Sequence, residues 1–270
     1  MVSLYRVIEL LDKKNRKFIA DSILDPIHFG FSDSLVRYHE LRRECPDIDI
    51  MTGIGNLTEL TEADTTGINA ILFGIISELH INNVLATEVS PHARSAVREA
   101  DRARRIMYAA REEGSLPKDF DGSLLTTHAR KPFPYSVEEI KELAKDIRDP
   151  SYRIMVSEEG IHVCNRDGIK TGVNPFDLFP QLKLLQDDAP HAFYIGVELA
   201  KAQIAFRLGK RYTQDEELNW GAAVPPVNEK EQESLTKAAH NLKDKDPVYK
   251  EAGSTLQASR ENKRKKKSAQ

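Results

Sequence analysis

The sequence predicts an α/β fold, with a parallel sheet whose strands alternate with helices over residues 1–113 and a small α+β module over 151–222. Three observations carry this expectation. Between residues 18 and 113 a short apolar run, a polar corner and an amphipathic stretch recur three times, the alternation that builds parallel strands joined by helical crossovers. Over 114–150 the texture changes, with glycines and prolines around one helical segment, so this stretch reads as a linker. Two β-rich runs then flank Glu158-Glu159-Gly160, a hairpin signal.

Taken in order, Leu4, Val7, Ile8 and Leu11 recur at helical spacing and predict a surface helix over 2–15. Phe18 to Leu24 is nearly all apolar, as a strand covered on both faces reads, and Asp25 stands at its carboxyl end. Ser32 and Asp33 can cap a helix to about residue 44, which Pro46 ends. Ile48–Thr52 is the second strand. After the corner Gly53-Ile54-Gly55-Asn56, Asp64 caps a helix from about 65 to 80 with a stripe of Ile68, Ile71, Leu72, Ile75, Ile76 and Leu79. The third strand is Asn83–Glu88, and Ser90-Pro91 opens a long helix to about Glu113. In the linker, Ser136 and Glu139 form a capping-box pattern; in the module, 152–157 and 161–165 pair as a hairpin, Asn174-Pro175 starts a short helix, and a long helix from Asp188 stops at Gly209.

Composition narrows the classes of function. The chain is 40% hydrophobic and 30% charged over 270 residues, a globular composition large enough for one sizeable core or two modest ones. Cys45 and Cys164 stand in no metal-ligand spacing, so no metal site is expected, and a reducing cytoplasm suits them. No apolar run approaches the ~20 residues that cross a bilayer, and residues 1–17 do not read as a signal peptide. Residues 259–270 carry six basic side chains against one acidic, so of the net charge of −3 this end supplies +5 and the remainder −8. Residues 223–270 read as a flexible charged tail with one helix near 230–242. Nucleic-acid binding by the tail is the less favoured reading, since no aromatic residues are interleaved with its charges.

In a parallel α/β sheet the chemistry gathers where the strands end, which brings Asp25, Asn56 and Glu88 together. A strand-end carboxylate can accept from the adjacent ring N–H and amino groups of a flat heterocycle; on spacing alone, Asp25 before Pro26 reads first as a turn cap. Gly53 and Gly55 let the backbone approach a ligand at Asn56, although a tight turn explains the same residues, and no third glycine completes a dinucleotide fingerprint. Ser90, His92 and Arg94 sit at a helix start suited to an anion; Arg94, Arg98 and their neighbours also suit an outer face paired with Glu99 and Asp101. His191, Glu198 and Lys201 share a helical face and read as an ordinary satisfied cluster.

These corners carry a resemblance. Leu24-Asp25-Pro26-Ile27-His28-Phe29-Gly30-Phe31 resembles the sixth-strand motif of dihydropteroate synthases and of methyltetrahydrofolate-type pterin-binding proteins. Met51-Thr52-Gly53-Ile54-Gly55-Asn56-Leu57-Thr58 is similar to their seventh-strand corner, and Val84–Glu88 stands in the place of the eighth. Over residues 18–222 the chain resembles the dihydropteroate synthase-like proteins of archaea and methylotrophs, a pterin-binding TIM-type barrel followed by a small C-terminal module. The resemblance implies the last three β/α units of a barrel. It implies a reduced pterin held by Asp25, Asn56, Gly53, Gly55 and Glu88, and an anion met by Ser90, His92 and Arg94. The implied reaction is a transferase step in folate or tetrahydromethanopterin biosynthesis that joins a hydroxymethyl-dihydropterin diphosphate to an arylamine, with the pterin as substrate and no cofactor assigned. Synthases carry Ser-Arg-Lys where this chain has Gly55-Asn56-Leu57, and Arg-Val-His-Asp where it has Ala86–Val89, so a pterin-binding carrier or regulatory subunit is the alternative. Three strands where a barrel has eight imply a truncated piece or one half of a split protein, completed by a separately encoded amino-terminal half or a homo-oligomer.

Overall fold

The computed structural model describes residues 1–184 and 188–226; the expected helix near 230–242 and the basic end lie outside the described residues. It has a mixed α/β architecture in two compact units, Met1–Thr126 with Trp220–Pro225, and Thr127–Asn219. Residues 114–150, read as a linker, divide between the two. Trp220–Pro225, of which 220–222 are read as the close of the C-terminal module and 223–225 as the start of the tail, belongs with the first unit. There the Ala222 amide donates to Ser123 O at 2.7 Å, and Gly221, at φ +54°, has no space for a Cβ, which would meet that same carbonyl at 2.2 Å. Among the described residues no helix is long and apolar enough to cross a membrane.

The first unit runs α1 (Val2–Lys13), α2 (Phe31–Glu44), β1 (Met51–Gly53), the single turn α3 (Gly55–Thr58), α4 (Thr65–Glu78), β2 (Asn83–Leu85), a 3-10 turn at Pro91–Ala93, and α5 (Ala96–Glu112). β1 and β2 are parallel, with Met51 opposite Asn83, and on the far side of β1 a parallel bridge joins Ala20 to Ile50. Three parallel extended segments thus follow the expected order, and among the described residues they close no barrel.

The segments are shorter than the sequence suggests, and the first is a single bridge where a strand over Phe18–Leu24 is expected. Asp21 Oδ1 accepts from the Ile23 amide at 2.8 Å and from the Tyr38 hydroxyl at 2.6 Å, while Ile23 takes φ +64° and leaves the extended line. Arg37 then donates to the carbonyls of Ser22 and Ile23 at 3.1 and 2.8 Å. Backbone groups that a ladder would use are already bonded to side chains.

Burial alternates along the first two segments. Ala20, Ser22 and Leu24, then Ile50, Thr52 and Ile54, face the helices in a core with Ile8, Tyr38, Leu41, Leu72, Phe73 and Ile76. The opposite face is open, with Ile19, Ile23 and Leu85 exposed at 52%, 60% and 57%. Two further details differ from the sequence reading. Gly30, in the left-handed conformation, precedes α2 in place of a Ser32 or Asp33 cap, and α4 is turned so that Asn69 and Phe73 are buried while Ile71 lies outside.

The second unit holds α6 (Val137–Lys145), an antiparallel sheet of β3 (Arg153–Ser157), β4 (Gly160–Asn165) and β5 (Gly168–Gly172), the turn α7 (Pro175–Leu178), and α8 (Ala189–Leu208). The Ser136–Glu139 capping box is formed, and Gly209, at φ +58°, ends α8. β5 has no counterpart in the sequence reading. Across the sheet's centre His162, fully buried, bonds Ser157 Oγ through Nε2 at 2.7 Å and Thr171 Oγ1 through Nδ1 at 2.9 Å. Glu198 on α8 is buried against Lys201 Nζ at 2.8 Å and the Tyr212 hydroxyl at 2.7 Å, so that pair is satisfied as expected.

Burial holds the His162 imidazole below its ordinary value of 6.5, so the unfolded chain binds the proton more readily than the folded one. Stability from this group is therefore present above pH 6.5 and is lost as pH falls below it. Thermal unfolding of the chain between pH 7.5 and 5 is expected to show a falling midpoint for the second unit, and His162→Gln to flatten that slope; an unchanged slope in the variant would assign the pH dependence to other groups.

Candidate functional site

The carboxyl ends of the parallel segments bring two of the sequence-predicted residues together. Asp25 follows the first segment, where its amide donates to Ser34 Oγ at 3.1 Å and Ser34 in turn donates to Phe31 O at 2.7 Å. Its carboxylate lies over the Gly30 backbone, where a Cβ would come 3.1 Å from Oδ2; with φ +113° as well, this turn calls for glycine. Oδ2 is paired with Arg37 Nη2 at 2.6 Å, and Oδ1 accepts no hydrogen bond among the described residues. Asn56, in the second corner, donates from Nδ2 to the Leu24 carbonyl at 2.8 Å, which fixes it beside Asp25 and leaves its amide oxygen as an acceptor. The two glycines of that corner differ. Nothing lies within 4 Å of a Cβ placed on Gly53, whereas one on Gly55 would come 3.0 Å from Thr87 Oγ1, so the second corner packs against the end of the third segment.

The remaining predicted residues are placed otherwise. Glu88 turns to the start of α5 and accepts from the Val97 amide at 2.9 Å. The Ser90 amide donates to Glu59 Oε2 at 2.7 Å, while Glu59 Oε1 accepts from the Val89 amide at 2.9 Å and Thr87 Oγ1 at 2.8 Å. His92 and Arg94 lie exposed at the 3-10 turn that precedes α5. The amides of Val89, Ser90 and Val97, around this helix start, are thus bonded to the chain's own carboxylates. Hydrogen bonds from Val89, then from Ser90 and Thr87, hold the Glu59 carboxyl at about 2 against an ordinary 4.5.

A second carboxylate of this region escaped the sequence reading. Glu99, placed there on the outer charged face of its helix, is only 2% exposed and reaches from α5 to the first turn of α4. It accepts from Thr66 Oγ1 at 2.8 Å, Ser95 Oγ at 2.9 Å, Asn69 Nδ2 at 3.4 Å and the Thr65 hydroxyl. An anion at the amino end of α4 also meets the positive end of that helix. The signal in the sequence is the small-residue stripe Ala96, Ala100, Ala103, which brackets Glu99 and marks that face as the buried one.

Two outcomes follow from these carboxylates. Glu99→Ala strands the buried hydroxyls of Thr65, Thr66 and Ser95, while Asn69 Nδ2 keeps its bond to Ala96 O, and is expected to cost roughly 3 kcal/mol in chemical denaturation; a loss within ordinary surface values would show the cage to be dispensable. For Glu59 the folded pKa is depressed, so its contribution is present above pH 4.5 and fades as pH falls toward 2. The amide resonances of Val89 and Ser90 are expected to shift with a midpoint near 2, and Glu59→Gln to abolish that titration.

No protein-family model and no solved structure matches the chain. The chain is similar to an uncharacterised protein of Methanocaldococcus jannaschii, with 31% identity over 234 residues that take in 78% of this chain and 44% of the relative. The chain thus spans less than half the length of that archaeal relative.

Proposed function

We propose that the corner built by Asp25 and Asn56 is one wall of a pterin-binding site, and that the chain is a dihydropteroate synthase-like transferase of folate or tetrahydromethanopterin biosynthesis, acting in the cytoplasm. In this reading the three parallel segments are the last β/α units of a TIM-type barrel. The reaction joins a hydroxymethyl-dihydropterin diphosphate to an arylamine.

The supporting observation is the fixed pair of acceptors at the strand ends. Arg37 and the Gly30 turn hold the Asp25 carboxylate by Oδ2, which leaves Oδ1 for the adjacent ring N–H and amino groups of a pterin edge. The Asn56 amide is held by Leu24 O and presents its oxygen beside them. Open space at Gly53 leaves room for a flat ring against the backbone. A ligand lacking those donors leaves a carboxylate oxygen unpaired, which is how such a site discriminates.

A second reading, a pterin carrier or regulatory subunit without condensation chemistry, is favoured by the state of the third corner. Glu59 and Glu88 bond the amides that would otherwise meet a departing diphosphate.

Fluorescence titration of the full chain with 6-hydroxymethyl-7,8-dihydropterin is the test. Asp25→Asn is expected to weaken binding by about tenfold or more, and substitutions in the second unit to leave it unchanged. Equal binding by wild type and Asp25→Asn removes the reading, as does no binding at all. An assay with the pterin diphosphate and 4-aminobenzoate separates the two versions: product formation supports the transferase, and binding without turnover supports the carrier.

A further inference from the structure

One helix of the second unit is apolar on both sides. α8 packs Ile195, Leu199, Ala202 and Ala205 toward β3 and β4, as its place over the sheet requires. The side facing away carries Ala189, Phe193, Val197, Ala200 and Ile204, and all five are exposed, Phe193 by 70%. On a helix these positions fall within an arc of about 80°, so they form one straight stripe. An outer helix face is ordinarily polar, and a helix apolar all round is ordinarily buried. Lys201, on the flank of the stripe, is held aside by Glu198 at 2.8 Å and Glu217 at 3.4 Å.

More apolar surface adjoins the carboxyl half of the stripe. Gln203 Nε2 donates to the Val173 carbonyl at 3.2 Å, which sets the half-exposed Val173 alongside α8 next to Ile204. α7 follows directly, packs on α8 and carries Phe176, 88% exposed. Phe176 and Phe193 alone leave roughly 300 Å² of ring surface in water, already the size of the largest apolar patch on many monomers.

We propose that α8 is a two-fold interface, on which a second copy of this chain lays its own α8 antiparallel along the stripe, with Val173 and Phe176 at the rim. Three observations choose a second copy as the occupant. Phe193, Val197, Ala200 and Ile204 follow one another at intervals of four, three and four residues, the knob spacing of paired helices, and that order reads the same in both directions. A two-fold axis at its midpoint therefore sets Phe193 against the partner's Ile204 and Val197 against the partner's Ala200, so the stripe is its own complement. Charge agrees with this pairing. The face is uncharged from Ala189 to Ile204, so no ion is desolvated, and the exposed Arg207 at one end comes beside the start of the other helix, which Asp188 caps. Area agrees as well, since two copies of the patch together bury on the order of 1,000 Å², the size at which a specific interface begins. The proposal stands apart from the pterin reading, because every residue in it belongs to the second unit.

Sedimentation equilibrium of the full chain is the test, and a dimer is expected. Phe193→Glu and Ile204→Glu place a charge in the seam and are each expected to weaken the dimer at least tenfold, whereas Ile71→Glu, at an exposed apolar position of the first unit, is expected to leave it unchanged. Both seam positions face away from the sheet, so continued protection of the Leu199 and Ala202 amides from hydrogen exchange reports that the fold persists. Pairing direction is read by cross-linking with Phe193→Cys and Ile204→Cys, against the background that Cys45 and Cys164 set in the wild type. An antiparallel pair holds like positions about 16 Å apart along the axis, so a mixture of the two variants is expected to cross-link under oxidation and each variant alone is not. A monomer at every concentration overturns the proposal. A dimer that both seam variants leave intact does so too, as does a cross-link formed by either cysteine variant alone.

Discussion

Three short parallel segments cannot satisfy one another's backbone, and most of the first unit is arranged around that shortage. Where a longer sheet would place a neighbouring strand, side chains take over. At the amino ends of the segments Arg42 donates to four carbonyls, those of Pro46, Ile48, Leu79 and His80, at 2.7 to 3.0 Å, while the Asn82 side chain accepts from the Ile50 amide. At the carboxyl ends Asn56 holds Leu24, Glu59 holds Val89 and Ser90, and Arg37 holds Ser22 and Ile23. Because a buried amide or carbonyl left unpaired costs more than a typical bond returns, these contacts decide the path of each corner. The candidate site is a product of the same economy of partners: Asp25 and Asn56 stand together because the Leu24 carbonyl needs a donor.

The second unit meets its backbone requirement differently. Its three strands are antiparallel and adjacent, so the ladder is local, and two groups of buried polar side chains centre on His162 and Glu198. His162 lies between two hydroxyls that can each donate or accept, which satisfies a neutral ring in either tautomer. Glu198 is matched by a cation and a phenol, and burial with that carboxylate pushes the Tyr212 hydroxyl far above its ordinary range. Both groups are closed on themselves, whereas in the first unit Asp25 Oδ1 accepts no hydrogen bond among the described residues.

What could be read from the sequence divides along the same physical line. Helices announced themselves through periodicity and caps: the Ser136–Glu139 box, Asn174-Pro175 and Gly209 all act where they stand. The parallel order of the segments followed from their alternation with helices. Strand lengths did not, because Asp21 looks like one polar residue in an apolar run, and only the structure shows it bonding Tyr38, seventeen residues away in sequence. Glu99 was misplaced for a related reason. Its arginine neighbours suggest solvent, whereas the alanines on either side make room for α4 and its hydroxyls. β5, with Gly168 and Gly172 at its ends and Lys170 within, lacks the alternation that marks a strand, and forms because β4 has a second edge to fill.

The geometry of the Asp25–Asn56 corner is set before any ligand arrives. Each residue is fixed by one end, Asp25 by Arg37 and Asn56 by Leu24, so the acceptors facing outward need little reordering to engage a flat donor edge. The opposite wall is another matter, because the face carrying Ile19, Ile23 and Leu85 is uncovered among the described residues. A ligand held by one wall alone keeps most of its apolar surface in water and gains chiefly the directional bonds, whereas small-molecule sites bury most of their ligand. In the proposed pterin reading, specificity for the donor edge rests with these residues, and affinity with whatever covers the open face.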